Sequence, residues 1–592
     1  MPEQISLDDS SYNEIFQRAM EKIRSQAPWW THTEVSDPGI MLVEMWALLT
    51  DMQSYYLDQV QESHYRKYLQ LLGIRPDEGE CAWTWIFFEF GMGAEREYVI
   101  PAGTKLVSDR MVFETEEPVR LRKNGLKGFY QGTGENRADA MKLFRKNSFV
   151  LEDEKKRERE LFSFVLENAL DPEEDIRFFV LLDETKKRNE AEKDFYMARL
   201  AWEYKAYDGW REASVIRDDT KGLLFSGIVC LRLGRHGSEE KGRINRIRCR
   251  IKGGAYDVMP ILYKICFNVV KAVQRNTLCC EEELEFTEDC HRVAVKSYLA
   301  ATGRLWFLKE VPRKRTEIRN NGKLWEDITA QMSVDQPIRE GCMERCVSYG
   351  GTGHVKMVCA DSLTAPEELS DYVTGIASQR ITLPWQNVMR SSVSFLIRQE
   401  QDRYRTYRRE DPEEDRYGNA WHWDGEENVI VLGDGRHGDI PPESENGLRM
   451  TSLMLCEGEK GNVSVGRITN WERKDLFSEI TCMNWMPGRD GRSPMAPSLQ
   501  FSRIREVLSR QNRMVTEEDI RNLALETPGL LIGKVQARWD ENKMIVNVFP
   551  QYHLSDPYCV ERYRSRVENH LEPYRLAGTK TVVEIMSKED EE

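Results

Sequence analysis

Asp434, His437 and Asp439 fall within one short stretch, and a histidine flanked by carboxylates has the make-up of a metal site or an acid–base pair. The same stretch also reads as a hairpin turn, because Asp bonds its own backbone and the interleaved glycines permit positive φ. The turn is the preferred reading. Cys279, Cys280, Cys290 and His291 include possible zinc ligands. Structural zinc usually takes pairs spaced by two to four residues, so that both ligands meet one tetrahedral ion, and an adjacent Cys-Cys does this poorly. Cys342 and Cys346 have suitable spacing but no second pair nearby. The phosphate-loop, nucleophile-elbow and His-Glu-x-x-His motifs do not occur, and nine His in 592 residues leave few acid–base candidates. The chain therefore reads as a non-enzyme, with no catalytic residue, no metal and no cofactor.

If chemistry is sparse, the elements themselves become the subject. A chain of 592 residues exceeds what one hydrophobic core supports, so three or more domains are expected. Lys and Arg number 84 against 99 Asp and Glu, giving a net charge of −15, which disfavours a general grip on nucleic acid. The basic runs Arg243 to Lys252 and Arg313-Lys314-Arg315 read as local, solvated features. Apolar residues at 40% suffice for packed cores, and 31% charge with a mean hydropathy of −0.60 exclude wholesale disorder and membrane insertion. The N-terminus lacks the basic and apolar regions of a signal peptide, and the richest apolar run, Ile40 to Thr50, is broken by Glu44. Thirteen scattered Cys do not make a disulfide framework in a chain of this length, so reduced thiols and cytoplasmic folding are expected.

Ser11 followed by Glu14 is a capping box, and Tyr12, Ile15, Phe16, Ala19, Met20 and Ile23 form one helical stripe behind it. Asp37-Pro38 supplies an N-cap and a proline at the first helical position. From there to about Leu72 the spacing predicts one helix of roughly 50 Å. It carries two adjacent apolar stripes: Met41, Met45, Leu48, Met52 and Tyr55, then Leu42, Trp46, Leu49, Tyr56 and Val60. So wide a stripe needs cover from more than one side, and a partner chain can supply what the first helix does not.

Period-two runs begin near residue 80, at Ala82 to Phe90, Tyr98 to Ile100, Thr104 to Leu106 and Val112 to Glu114, and recur at Phe178 to Leu182, Leu200 to Tyr204, Gly227 to Leu231 and Asn428 to Leu432. Two charged segments, 152–160 and 183–194, read as solvated insertions without a specific binding role. The last ninety or so residues have the order αββαβ, with Thr516 capping the first helix, and suit helices covering one face of an antiparallel sheet. The exposed edge of that sheet could extend across a subunit boundary. The fold class is thus multidomain α+β: an N-terminal helical hairpin or bundle segment over 1–78, a β-rich domain with charged insertions over 79–285, a second β-rich or mixed domain over 286–500, and a small C-terminal sandwich over 501–592.

These pieces together resemble the baseplate J family of contractile phage tails and phage-tail-like injection systems. The residues that carry the resemblance run from Asp37-Pro-Gly-Ile through Tyr68-Leu-Gln-Leu-Leu-Gly73 and Ile100-Pro-Ala-Gly-Thr104. Trp202-Glu-Tyr204, Asn268 to Gln274, Leu432-Gly-Asp-Gly435, Val515-Thr-x-Glu-Asp519 and Leu576-Ala-Gly-Thr579 continue it to the end of the chain. Leu432 departs from the more usual Phe, Ala577 from Leu, and the two charged insertions are peculiar to this sequence.

The resemblance implies a structural wedge subunit of the hexagonal baseplate that transmits the trigger for sheath contraction. The implied partners are a second wedge protein, a second copy of the chain, and the central hub or spike and sheath-proximal proteins, with no nucleic acid and no direct membrane insertion. It further implies assembly in the cytoplasm into a virion-like or injection particle. The N-terminal interface would comprise Met41, Leu42, Met45, Trp46, Leu48, Leu49, Met52, Tyr55 and Tyr56, and the C-terminal ring contact Ile532, Val535, Ile545 and Val548. An adhesin or fibre-type binding protein, and a carbohydrate-active hydrolase using Asp434, His437 and Asp439, are the competing readings.

Overall fold

The computed structural model describes residues 11–586 except 33, 35, 59–61, 76, 92–97, 132–137, 140–148, 151–158, 171–174, 186–187, 190–194, 207–208, 235–243, 296, 312–322, 336–344, 362–371, 401, 410–417, 425–427, 437, 475, 510–512, 541–542 and 555. Helix α1 spans Tyr12–Gln26, and the Glu14 carboxylate accepts from the Ser11 N–H at 3.1 Å, as the capping box requires. Of the single long helix expected next, two helical stretches are described, α2 over Pro38–Asp58 and α3 over Glu62–Leu71, and residues 59–61 between them lie outside the described residues. The 21 residues of α2 span about 30 Å. Helix α1 packs on α2, whereas α3 packs on a later helix, α5 over Pro497–Ser509. Glu62 fixes that second pairing. Its carboxylate accepts from the N–H of Ser498, 2.9 Å away, at the open start of α5, while Tyr65 and Tyr68 lie 5.7 and 5.9 Å from the Phe501 ring.

Between residue 80 and α5 the described residues are mostly strands and the loops that join them. In a six-stranded sheet Met111–Thr115 and Val269–Val273 are central, with Lys105–Ser108 beyond the first and Trp83–Phe90 beyond the second. Its outer strands, Asn470–Trp471 and Ile480–Asn484, come from the far end of the β region. Two further sheets, of five and six strands, are drawn from residues 126–266 and face each other across an aromatic core. Phe178 sits at its centre, 5.4 Å from Phe164 and 5.2 Å from Trp202, in the edge-on geometry that aromatic rings prefer.

Seven strands between Asn276 and Leu455 close into a barrel, with short flanking sheets around it. The helix Tyr298–Thr302, α4, packs beside the barrel strands Arg304–Glu310 and Gly353–Ala360. A buried ionic joint ties the barrel to the first sheet. Lys105, fully buried, pairs with Asp361, and the Glu114 carboxylate accepts from the Thr277 N–H at 2.6 Å and from Arg275 Nε at 2.9 Å. Charges this deep persist only when each finds its partner.

At the C-terminus the αββαβ order is present: α6 over Glu517–Leu525, strands Ile532–Asp540 and Lys543–Pro550, α7 over Pro557–Leu571, and strand Lys580–Ile585. Thr516 caps α6, its hydroxyl accepting from the Asp519 N–H at 3.1 Å. The sheet is mixed rather than antiparallel. Its last strand runs parallel to the middle one, because α7 returns the chain to the starting end before that strand begins.

Candidate assembly surfaces

Asp37-Pro38-Gly39 starts α2 by three separate devices. The Asp37 carboxylate accepts from the Gly39 N–H at 2.6 Å and from the Trp30 indole at 3.3 Å, Pro38 brings a preset φ, and the Trp30 ring lies where a side chain at residue 39 would be. The Gly39 bond first, then the indole, holds the Asp37 carboxyl below its usual range. The cap is therefore complete above the ordinary carboxylate pKa and is lost only as pH falls through the lowered folded value. Asp37→Ala should fray the first turn of α2, read as faster amide exchange at 39–42, whereas Asp37→Asn should keep the turn; equal exchange in all three proteins would remove the cap from the account.

Beyond its cap, α2 carries a wide apolar surface and is covered on one side only. Ile40 and Ala47 are buried, forming a narrow seam seven residues apart. All nine residues expected at an N-terminal interface are exposed: Met41, Leu42, Met45, Trp46, Leu48, Leu49, Met52, Tyr55 and Tyr56, with Trp46 at 66% and Tyr56 at 68%. Soluble monomers rarely expose a continuous apolar area above a few hundred Å². Exposed apolar side chains are found also at Tyr68 and Leu71 of α3, at Leu72 just after it, and at Val507 and Leu508 of α5, where no stripe in the sequence had pointed to an interface.

The four residues expected at a C-terminal ring contact fall on the two faces of the sheet. Val535 and Val548 point at α6 and α7 inside the chain's own core, each at most 2% exposed, and Ile532 packs against the same cluster. Alternation along the strands marks a buried face without saying what buries it. Ile545, in register with Arg538 and Val582, lies on the opposite face, and Val582 is exposed there. Strand Ile532–Asp540 bonds only its neighbour Lys543–Pro550 among the described pairings, which leaves an edge.

Among the described residues of 183–194, Arg188 and Asn189 are not merely solvated. Arg188 donates to Asp257 at 2.8 Å and to the Gly529 carbonyl at 3.2 Å, and the Tyr563 hydroxyl donates to the same carboxylate at 2.6 Å. Asn189 donates to the Leu525 and Thr527 carbonyls at 2.7 and 2.9 Å. Gly529, at φ 81°, lets the backbone pass under the Phe195 ring, where no side chain fits. The C-terminal unit is thus bolted to the paired sheets. Only the charge run signalled this segment in the sequence, and charge runs are usually solvated.

The residues that suggested chemistry are dispersed or consumed. Asp434 accepts from the Arg436 N–H at 2.7 Å in a turn with Gly435 at φ 83°, and the Asp439 N–H donates to the Gly418 carbonyl. His437 lies outside the described residues. Cys279 is buried with its thiol on the Met450 carbonyl at 3.3 Å, while Cys280 packs in a different cluster, since adjacent strand residues face opposite ways. Cys290 and His291 are exposed. Cys346 is half-buried on strand Arg345–Tyr349, and Cys342 lies outside the described residues, as do Arg313, Lys314 and Arg315. The basic strand Ile244–Gly254 is neutralised in place: Arg248 and Arg250 share Glu203, and the Arg248 guanidinium lies 4.2 Å from the Trp210 ring.

Comparison with known proteins bears on the N-terminal surface. Residues 11–67 match the family described as bacteriophage baseplate protein, N-terminal domain; the match covers about a tenth of the chain and contains α1, α2 and much of α3. Among solved structures the chain is similar to one in the TssK-TssF-TssG baseplate subcomplex of the type VI secretion system, with a TM-score of 0.40 and 10% identity over 93% of this chain and 97% of that one. It is similar also to a chain of the anti-feeding prophage baseplate, with a TM-score of 0.30 and 8% identity over 96% of this chain and 70% of that one. Both TM-scores are too low for a shared overall fold to follow. No curated protein matches the chain.

Proposed function

We propose that the chain is a structural subunit of the baseplate of a contractile injection system or phage-like tail, acting as a wedge component. The observation that carries this reading is the coincidence of two facts in one segment: α2 leaves nine large apolar residues exposed, and residues 11–67 are the ones that resemble a baseplate N-terminal domain. A helix with so wide an exposed apolar face needs enclosure, and a neighbouring subunit's helices supply it at the cost of ordering two chains once.

In this reading α2 joins the wedge, the outer face and free edge of the C-terminal sheet meet a second copy, and the β region between them conveys the contraction trigger. Because the C-terminal unit is bolted to the paired sheets through Arg188, Asp257 and Tyr563, the two would turn as one block. No catalytic step is assigned. Immunogold labelling of isolated particles with an antibody to the barrel should mark one end, at the platform below the sheath. Label along the sheath or on fibres, or particles without the chain, would overturn the reading.

A further inference from the structure

Cys81 and Cys456 touch although about 375 residues separate them. Their thiols are hydrogen-bonded to each other, and both are half-buried. The contact is set by buried Gln274: its N–H donates to the Ala82 carbonyl at 2.7 Å, and its side-chain oxygen accepts from the Glu457 N–H at 2.7 Å. One residue thus holds the backbone beside each cysteine. Loops 458–461 and 488–492 close around the same point, so tightly that a side chain at Gly461 or Gly491 would strike the Ala82 methyl. On the solvent side Cys81 lines an open cavity of about 1050 Å³ together with Glu80, Trp83, Glu459, Asn462 and Arg492.

We propose that Cys81 and Cys456 are a peroxide-responsive dithiol that closes to a disulfide, stapling the lead-in of the first sheet to the strand that leaves the barrel. The oxidant is hydrogen peroxide, which is small and neutral and so passes an opening lined with carboxylates. The Cys456 thiolate attacks one peroxide oxygen; the O–O bond breaks, Cys456 becomes a sulfenic acid, and the departing hydroxide is protonated to water. The Cys81 sulfur then attacks Cys456 Sγ, the S–S bond forms, the S–O bond breaks, and hydroxide leaves with the Cys81 proton as a second water. Two thiols and one peroxide give one disulfide and two waters.

The electrostatics fit these roles. The bond donated by Cys81, aided by the Gly458 N–H and opposed by burial, lowers the Cys456 thiol below the ordinary range, while Cys81 is raised and keeps its proton. Cys280 and Cys359, facing each other across barrel strands and also in thiol contact, are the internal control, because that contact and burial raise the Cys359 thiol.

The full chain, reduced and then exposed to peroxide at neutral pH, should lose the Cys81 and Cys456 thiols at least about tenfold faster than Cys279 or Cys359, one unit of thiol pKa being a tenfold change in thiolate. Peptide mass spectrometry should find Cys81 linked to Cys456, and the melting midpoint should rise by roughly 5 °C, reversed by dithiothreitol. In Cys81→Ser the Cys456 sulfenic acid should be trapped by dimedone and the midpoint should not move; Cys456→Ser should spare Cys81. Cys81 and Cys456 remaining alkylatable after the other thiols are consumed, or a link of either to another cysteine, would overturn the proposal. Neither outcome depends on whether the chain enters a baseplate.

Discussion

Replacing Met45, Leu48 and Met52 together by Asp should abolish incorporation of the chain into particles while leaving its fold intact. The three side chains are each about half exposed on successive turns of α2, away from the Ile40 and Ala47 seam that holds α1. Carboxylates there stay hydrated in the free chain, so its melting curve should match the parent's. In an assembled bundle they would be stripped of water against apolar neighbours, at a cost of several kcal/mol for each ion. Three such costs exceed what an interface of ordinary size returns. Fractionated lysates should show the triple variant only in the soluble pool, with tubes or sheaths lacking an organised end. Particles of normal composition carrying it would falsify the α2 interface. Glu44, already half-buried near the seam, makes a useful contrast: Glu44→Gln should assemble normally.

The second large effect is internal. Asp257→Ala should destabilise the docking of the C-terminal unit by about 3–5 kcal/mol, because Arg188 would remain buried with its charge uncompensated. Burial alone would raise the Asp257 carboxyl, but the Arg188 bond and charge, with the Tyr563 hydroxyl, outweigh it and the net shift is downward. The stabilisation is therefore complete above the unfolded carboxylate pKa of about 3.9 and fades only as pH falls through the lower folded value, so the neutral range should show no trend. Amide exchange in residues 514–585 should accelerate before that of the barrel. Converting the pair to Arg188→Met with Asp257→Leu should recover most of the loss, since no charge is then stranded. Unchanged exchange in Asp257→Ala would mean that the apolar contacts around Phe195 and Tyr563 suffice by themselves.

This joint also alters how the C-terminal region should be probed. Removing 510–592 takes away side chains that share one core with the paired sheets, among them Ile520, Val546, Tyr563 and Val567. A truncated chain would expose that core, and its failure to assemble would say nothing about ring contacts. Ile545→Asp, on the outer face, tests the contact without opening the core.

What could be read in the sequence was local. The Ser11 and Thr516 caps, the Asp37-Pro38 start and the αββαβ order each depend on residues a few positions apart, and each stands in the structure. The exposed apolar face of α2 was legible too, because two adjacent apolar stripes announce more surface than one neighbour can cover. Less legible was anything settled by distant partners. Closure of the barrel depends on Asn276–Phe286 meeting Leu448–Leu455, and no periodicity encodes that meeting. Arg188 was lost in a charge run whose other members give no hint of a buried partner, and Val535 and Val548 carried a signal of burial that could not say whose surface would bury them.

The first sheet has a consequence for synthesis. Its strand Trp83–Phe90 pairs on one side with Ile480–Asn484, so the sheet stays unfinished until about 400 further residues have been made. At ribosomal rates of roughly 5–20 residues per second, that is about 20–80 seconds during which α2 and an unpaired apolar strand edge both stay exposed. A nascent chain of this design is a natural client for a holding chaperone, and starving the cell of chaperone capacity should lower its yield before it lowers that of proteins whose sheets close in sequence order.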